Sequence, residues 1–356
     1  MKKSSFAVVY TVKNEATILP EAIRYHQHLG ASKIYVFFDG TTDHTREVVS
    51  KIDEVVCSET LPPNDEMLTH RWINDIYPEW TENMDVRKRI NAMHALKLSL
   101  EAGVEWLAAI DPDELLHFAT ENDKHQLSSD TFFESIAPSV DQVLLQNLEA
   151  IPTSDSNDSP FVTCSLFTRR LPVTDIVSRY FVALLRRLHI SAYAVAWCHY
   201  IFYQIRFCGS LPRLMRHPTT REFIPCGHYL GYTNFKSIIR TATAQEFNFN
   251  THKWQNAVRQ PVTVYAGRVL HYDLCNSFYL RSKFSQRSKS MMVKTFYSRY
   301  MIDRVAREVS DIELKTFFKQ FFVFSDAKVV NKLIQHGAFC HIESVRRFFT
   351  TPQRDR

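Results

Sequence analysis

The first 111 residues alternate between short apolar runs and stretches whose apolar residues recur at helical spacing. The apolar runs are rich in β-branched and aromatic residues and predict strands over Phe6–Val12, Lys33–Phe38, Glu54–Ser58 and Val104–Asp111. The intervening stretches predict helices over Pro20–Leu29, after Asp43 and over Arg87–Ala102. Because helical crossovers bring successive strands together in parallel, the sequence predicts an α/β fold with a mostly parallel sheet flanked by helices.

The fourth apolar run ends in Asp111-Pro112-Asp113-Glu114, with three carboxylates within four positions. Pro112 cannot continue a regular ladder of backbone hydrogen bonds, so the strand has to end here. Open α/β sheets bind their ligands outside the carboxyl ends of the strands. Two carboxylates one residue apart at such a place can share a hard divalent cation whose other ligands are water and phosphate oxygens. A charged turn that caps the next helix is the alternative interpretation.

Two further strand ends carry polar residues. Thr11 closes the first strand, Asn14 and Glu15 follow it, and Asp39 follows the second strand. In a parallel sheet these positions and Asp111 lie at the same edge, so we expect them to converge although roughly 100 residues separate them in sequence. Each segment considered alone could also be a helix-capping turn.

Composition narrows the ways in which the chain can bind phosphate. Its 356 residues include only eight glycines, with no G-x-G-x-x-G and no Walker-type loop, which excludes dinucleotide and P-loop cradles. Any phosphate must therefore be held by a metal, by basic side chains or by a helix N-terminus.

Several features predict a cytoplasmic protein. The seven cysteines are odd in number and form no C-x-x-C pair, which indicates a reducing compartment. The apolar run near the N-terminus is too short for a signal peptide. The longest apolar segment, Ile190–Tyr203, predicts a buried or interfacial helix, because it is shorter than the roughly 20 residues of a membrane-spanning one.

Charge divides the chain into two parts. Residues 1–160 contain 13 Lys and Arg against 27 Asp and Glu, whereas residues 161–356 contain 30 against 11. We predict an acidic domain over 1–160 that binds metal and nucleotide, and a basic, helical region over 161–356 on the acceptor side. The basic region could also lie peripherally on the cytoplasmic face of an anionic membrane, or form a solvated surface.

Four segments in combination resemble GT-A glycosyltransferases, and most of all the family-2-like group and its relatives in family 92. They comprise Val12-Lys13-Asn14-Glu15 with Arg24-Tyr25-His26 downstream, Ile34 to Thr45, the helix with Arg89 and Asn91, and Glu105 to Leu116. The resemblance covers residues 6 to about 118 and is faint in the remainder, where it depends on the segment around His271. It implies a metal-dependent transfer of a sugar from a nucleotide-sugar, with UDP as the expected nucleotide, to a saccharide or lipid-linked acceptor, with inversion at the anomeric carbon.

The resemblance also implies roles for single residues. The positions that would bind the donor are Thr11, Asn14, Glu15, Asp39, Arg89 and Asp111. Asp111 and Asp113 would carry Mn²⁺ or Mg²⁺, and His271 would complete the metal site, with His228 as its rival. The general base is unassigned, and Glu149 and Asp175 are the carboxylates to test.

Two other functions remain open on the sequence alone. A metal-dependent nucleotidyltransferase would use a similar sheet, although the first strand–helix loop lacks the glycine-rich or basic signature that such enzymes carry. A nucleic-acid or anionic-membrane-binding module would explain the basic region. No nucleic-acid recognition motif appears, so we expect no nucleic-acid partner.

Overall fold

The computed structural model describes residues 4–119, 126–169, 177, 180–181, 183–185, 187–210, 214–225, 235–256, 258–285 and 297–351. Contacts divide the chain into two compact units: unit 1 comprises Met1–Asn147 and Asn234–His271, and unit 2 comprises Leu148–Thr233 and Tyr272–Arg356. This grouping differs from the predicted division at residue 160, because the stretch from Asn234 to His271 returns to the sheet of unit 1. The functional division into 1–160 and 161–356 stays a prediction.

Strands are numbered in chain order. They are β1 (Phe6–Val12), β2 (Ala31–Phe38), β3 (Val55–Glu59), β4 (Trp106–Ala109), β5 (Glu114–His117), β6 (Gln142–Ile151), β7 (Leu166–Thr168), β8 (Leu214–Arg216), β9 (Phe223–Pro225), β10 (Lys236–Arg240), β11 (Asn248–Phe249), β12 (Trp254–Gln255), β13 (Thr263–His271) and β14 (Phe339–His341).

Helices are numbered in the same way. They are α1 (Leu19–His28), α2 (Thr45–Val49), α3 (Asp65–Leu68), α4 (Arg71–Ile76), α5 (Met84–Glu101), α6 (Ser129–Glu134), α7 (Pro160–Thr163), α8 (Ala192–Arg206), α9 (Thr241–Ala244), α10 (Ser277–Ser285), α11 (Tyr297–Glu308), α12 (Asp311–Phe321), α13 (Ala327–Gln335) and α14 (Ser344–Thr350), with a 3₁₀ turn at Tyr77–Glu79.

Unit 1 is built on a mixed sheet in which β1 is central. Strands β3, β2, β1 and β4 pair in parallel, and Val8 of β1 lies opposite Ile34 of β2 and Ala108 of β4. Beyond β4 the sheet continues through β10 and then β6, and both of these pairings are antiparallel. Strand β13 pairs with β5 and β6. The predicted α/β fold with a parallel sheet is confirmed, and the later antiparallel strands extend it.

Helices cover both faces of this sheet. Alternate residues of β1 point to opposite faces, so each face presents apolar side chains to a helix. Ala7 and Val9 belong to a buried apolar cluster with residues of α5, such as Ile90. On the other face, Phe6 contacts Phe133 of α6, with ring centroids 5.6 Å apart. The side chains on both faces of β1 are thus almost all buried, as its continuous apolar sequence predicts.

In unit 2, the described part is mainly helical and has its own core. One apolar cluster draws on α11, α12 and α13 and includes Phe317, Phe318, Phe321 and Phe322. The C-terminal end of β6 pairs with β7, and β7 pairs with β14. Helix α8 covers most of the predicted apolar helix. Among the described residues, no helix combines the length and hydropathy that crossing a bilayer requires.

Candidate metal and nucleotide site

Three strand ends of unit 1 meet at one edge of the sheet. Val12, the last residue of β1, is the partner of Phe38, the last residue of β2. On the other side of β1, Val9 is the partner of Ala109, which ends β4. The loops after β1, β2 and β4 therefore leave the sheet at the same edge, as expected from the sequence.

Asn14 joins the first two of these loops. Its backbone adopts a positive φ of 56°, which Asn tolerates better than most residues. Its Oδ1 accepts hydrogen bonds from the backbone N–H groups of Thr42 at 2.7 Å and Asp43 at 3.1 Å. Next to it, the backbone N–H of Glu15 donates to Thr45 Oγ1 at 2.9 Å. The structure thus places Asn14 in a role that shapes the loop.

Helix α5 supplies partners to two strand ends. Arg87 binds the largely buried Asp39 through two hydrogen bonds, Nε to Oδ1 at 2.6 Å and Nη2 to Oδ2 at 3.0 Å. One turn further along, Asn91 Nδ2 donates to Thr11 Oγ1 at 3.0 Å. A bidentate guanidinium–carboxylate pair is among the strongest and most directional of polar contacts, so the loop after β2 is held against α5.

Asp111 is held by two lysines. Lys88 Nζ lies 2.5 Å from its Oδ1, and Lys236 Nζ lies 3.0 Å from its Oδ2. Burial disfavours the charged carboxylate, but Lys236 and Lys88 outweigh this effect and hold the pKa of Asp111 well below its usual range. Asp111 is therefore an ionised carboxylate whose charge is compensated by a lysine at each oxygen.

Glu114 connects Asp111 to the second aspartate of the motif. Its Oε2 accepts the backbone N–H of Asp111 at 2.9 Å and lies 2.9 Å from Lys236 Nζ. Burial, opposed by Lys236 and reinforced by the charge of Asp111, raises the pKa of Glu114. The same carboxylate interacts electrostatically with Asp113 and His271. The acidic turn is thus a single electrostatic cluster.

Asp113 faces His271 across the β5–β13 pair. His271 lies opposite Glu114 in this antiparallel ladder, and its Nε2 is 3.5 Å from Asp113 Oδ2. Both side chains are buried, with 4% of Asp113 and 6% of His271 exposed. Asp273 follows His271 by two positions, is buried in unit 2 and pairs with Lys283 there. Asp113 and His271, both in unit 1, each offer one ligand atom that a metal ion could use.

A small cavity of about 100 Å³ opens beside Asp111. Its lining includes the end of β1, the start and first turn of α5, and the loop between β11 and β12. The residues that line it are Val9, Thr11, Asp85, Lys88, Ala109, Ile110, Asp111, Lys236, Phe249, Thr251 and His252. Burial first, and then the charge of Lys236, lowers the pKa of His252 to about 4. The imidazole of His252, which lines this cavity, is therefore neutral at physiological pH.

Some predicted site residues lie elsewhere. Arg89 Nε donates to the carbonyl of Phe249 at 2.5 Å, and its guanidinium lies 4.9 Å from the ring centroid of Trp72. Glu149 is buried in unit 2, where its backbone N–H donates to Thr168. Asp175 and His228 lie outside the described residues.

Arg87, Lys88 and Lys236 were not among the predicted site residues. The first two were detectable in principle, because positions 87, 88 and 91 fall within one turn and a half of a predicted helix that precedes the acidic motif. Lys236 belongs to a strand 125 residues away from Asp111 and carries no local signal. Only the pairing of β10 with β4 brings it to the site.

The sequence relatives that comparison with known proteins gives are both named glycosyltransferase-like. No protein family model matches the chain. Two Arabidopsis thaliana proteins named glycosyltransferase-like are 24% and 21% identical to it over 338 and 337 residues, which is 90% of the chain in each case. The chain spans 58% and 66% of the length of these two relatives.

Solved structures with partial similarity include the following two proteins. Glucosyl-3-phosphoglycerate synthase from Mycobacterium tuberculosis, in complex with Mn²⁺, UDP and glucosyl-3-phosphoglycerate, is 12% identical with a TM-score of 0.30 and covers 76% of this chain and 72% of its own. TarS from S. aureus is 11% identical with a TM-score of 0.31 and covers 93% of this chain and 49% of its own. Scores this low carry no argument about fold or activity.

The sequence relatives are named for the same class of protein that the sequence segments resemble. The predicted resemblance to glycosyltransferases is confirmed by them at this level, whereas the narrower assignment to the family-2-like or family-92-like group stays a prediction. Along nine-tenths of its length, the chain is a sequence relative of glycosyltransferase-like proteins.

Proposed function

We propose that this chain is a divalent-metal-dependent glycosyltransferase that takes a sugar from a nucleotide-sugar, with UDP as its nucleotide. The observation that carries the proposal is the buried Asp113–His271 pair, 3.5 Å apart, at the end of an acidic turn that follows a parallel strand. The sequence relatives named glycosyltransferase-like support the same class of reaction.

We assign Asp113 and His271 as protein ligands of the cation, with Asp111 of the same acidic turn as a further candidate ligand. Buried carboxylates without a cation repel each other, so the donor set fits a site that a cation stabilises. A set with one imidazole is more typical of Mn²⁺ or another transition metal than of Mg²⁺, which prefers oxygen. When bound, the cation supplies Lewis-acid stabilisation of the diphosphate leaving group.

The chain's own residues would orient the donor around this site. Thr11 lines the cavity beside Asp111, and Arg87 fixes the Asp39 carboxylate at the neighbouring strand end. A carboxylate that receives two hydrogen bonds from one guanidinium keeps lone pairs for a ribose hydroxyl. Asn14 contributes indirectly, because its side chain organises the loop after β2.

The acceptor side stays open in this proposal. A saccharide or lipid-linked hydroxyl needs a general base within hydrogen-bond reach. Glu149 and Asp175 are the carboxylates that we would test. Inversion at the anomeric carbon and contact of the basic region with an anionic acceptor or a membrane surface are parts of the same proposal.

Calorimetric titration of UDP with and without Mn²⁺ tests the function. We expect Mn²⁺ to tighten UDP binding at least about tenfold in the unaltered protein, which corresponds to about 1.4 kcal/mol. Asp113→Asn should remove this difference and leave the thermal unfolding midpoint within a few degrees. Asp53→Asn, at an exposed position of unit 1, is the control and should retain it. Unchanged Mn²⁺-dependent UDP binding in Asp113→Asn would contradict the metal assignment.

A second assay separates the proposal from a nucleotidyltransferase. A panel of UDP-sugars and nucleoside triphosphates is incubated with the protein and Mn²⁺, and the released nucleotide is measured. A glycosyltransferase should slowly hydrolyse one UDP-sugar in the absence of acceptor and leave the triphosphates intact. Cleavage of the triphosphates alone would support the nucleotidyltransferase.

A further inference from the structure

We propose that Lys88 and Lys236 compete with the metal cation for Asp111, and that the diphosphate of the donor releases Asp111 by binding the two lysines. This inference rests on the proposed function and adds a regulatory step to the same site. It makes metal affinity low in the absence of nucleotide and couples the binding of the two. Lys88 and Lys236 thereby hold Asp111 before the nucleotide binds and hold the diphosphate afterwards.

Both carboxylate oxygens of Asp111 have an ammonium partner. Lys88 Nζ lies on Oδ1, at 2.5 Å, and Lys236 Nζ lies on Oδ2, at 3.0 Å. A metal ion that uses either oxygen has to displace an ammonium group or share the oxygen with it. Two positive charges beside the oxygens also repel an approaching cation, and partial burial strengthens that repulsion.

Lys236 is held in place from a second side. Its side chain is 8% exposed, and Nζ also contacts Glu114 Oε2 at 2.9 Å. A buried ammonium group is stable only where anions compensate its charge. Lys236 can therefore leave Asp111 only if another anion takes its place. Lys88 is 20% exposed and starts from the first turns of α5, so its ammonium can turn towards the cavity more easily.

The size of the cavity supports a rearrangement on binding. A volume of about 100 Å³ is smaller than the roughly 300–1,000 Å³ of sites that hold organic ligands. Lys88, Asp111 and Lys236 all line this cavity, so movement of their side chains is the direct way to enlarge it. A diphosphate entering there supplies the oxygens that both lysines need once they leave Asp111.

Coupling follows from this exchange of partners. Without nucleotide, a cation binds Asp113 and His271, but the charge of Asp111 is already compensated by the two lysines. With a diphosphate bound, the lysines have new anionic partners and Asp111 becomes available. The same factor by which the nucleotide tightens metal binding must then apply to the effect of metal on nucleotide binding.

Mn²⁺ binding measured by electron paramagnetic resonance, with no nucleotide present, tests the proposal on the full chain. Lys88→Gln should tighten Mn²⁺ binding tenfold or more, because it removes one competitor for Asp111. Lys97→Gln is the matched control, since Lys97 is on the same helix and pairs with Glu66 at the surface. It should leave the Mn²⁺ affinity unchanged. Damage to the fold would weaken binding, so an increase cannot come from misfolding.

A double-mutant cycle then identifies Asp111 as the residue for which the lysines compete. Asp111→Asn alone should change Mn²⁺ affinity less than threefold, whereas in the Lys88→Gln background it should cancel the gain. Lys236→Gln provides a second cycle, with circular dichroism to confirm folding. Equal effects of Asp111→Asn in both backgrounds would overturn the inference and leave the proposed function intact. Absence of Mn²⁺ binding in every form, with or without UDP, would overturn both.

Discussion

Replacement of His26 should remove one proton-linked component of the stability of unit 1. The ring of His26, a residue of α1, is fully buried, and its Nε2 accepts a hydrogen bond from the backbone N–H of Leu116 at 3.1 Å. Nδ1 lies 2.7 Å from both Tyr10 Oη and the carbonyl oxygen of Ala22. Because Nε2 accepts a hydrogen bond, the proton of the neutral ring is on Nδ1. Burial lowers the pKa of His26 to about 4.

The sign and size of the effect follow from this pKa. Between pH 4 and about 6.5 the unfolded chain binds a proton at His26 and the folded chain does not. The free energy of unfolding therefore falls as the pH is lowered through this window, by about 1.4 kcal/mol per pH unit for one group. Over the whole window, His26 accounts for about 3 kcal/mol, an order-of-magnitude value.

Urea unfolding followed by tryptophan fluorescence is a suitable assay, because Trp72, Trp80, Trp106 and Trp254 all lie in unit 1. His26→Gln should lower the pH slope of the unfolding free energy between pH 4.5 and 6 by about 1 kcal/mol per pH unit. The slope is compared, and not the stability itself, because the variant also loses hydrogen bonds.

His28→Gln is the control for this slope. His28 is exposed two residues further along the same helix, and its replacement should leave the slope as it is. A slope in His26→Gln equal to that of the unaltered protein would refute the reasoning. The outcome bears on the site, because Leu116 follows the acidic turn and His26 ties it to α1.

Two further predictions concern the packing and charge of unit 1. Gly267→Ala should lower the free energy of unfolding by about 2 kcal/mol more than Gly103→Ala. Both glycines have a positive φ, but a Cβ at Gly267 would lie 2.9 Å from Leu145 Cδ2. At Gly103, none of the described residues has an atom within 4 Å of such a Cβ. Equal losses in urea unfolding would contradict this. Arg87→Gln should cost about 3 kcal/mol because it leaves Asp39 buried without its partner. Asp39→Asn in that background should restore part of the loss, and Arg71→Gln, which breaks an exposed pair with Asp75, should cost less than about 1 kcal/mol. Failure of Asp39→Asn to restore any stability would argue against the buried charge as the cause.

Sequence periodicity was sufficient for the first half of the fold. The predicted strands Phe6–Val12 and Lys33–Phe38 correspond to β1 and β2, and the predicted helix Arg87–Ala102 corresponds to most of α5. These elements are local, and their apolar patterns match the burial they meet in a doubly covered parallel sheet. The strands that return late in the chain, β10 and β13, have no comparable pattern, because antiparallel pairing over more than 100 residues leaves no local trace.

By itself, the sequence determined that polar residues follow the strands at one edge of the sheet, because parallel crossovers put all strand ends there. It also placed Asp113 among the candidate ligands, and the resemblance to GT-A glycosyltransferases added His271. Only the tertiary structure decided which partners these side chains have: Lys236 and Lys88 on Asp111, Arg87 on Asp39, and His271 opposite the acidic turn. Charge–charge partnership acts through space over a few ångströms, so it depends on strand pairing between segments that are remote in sequence.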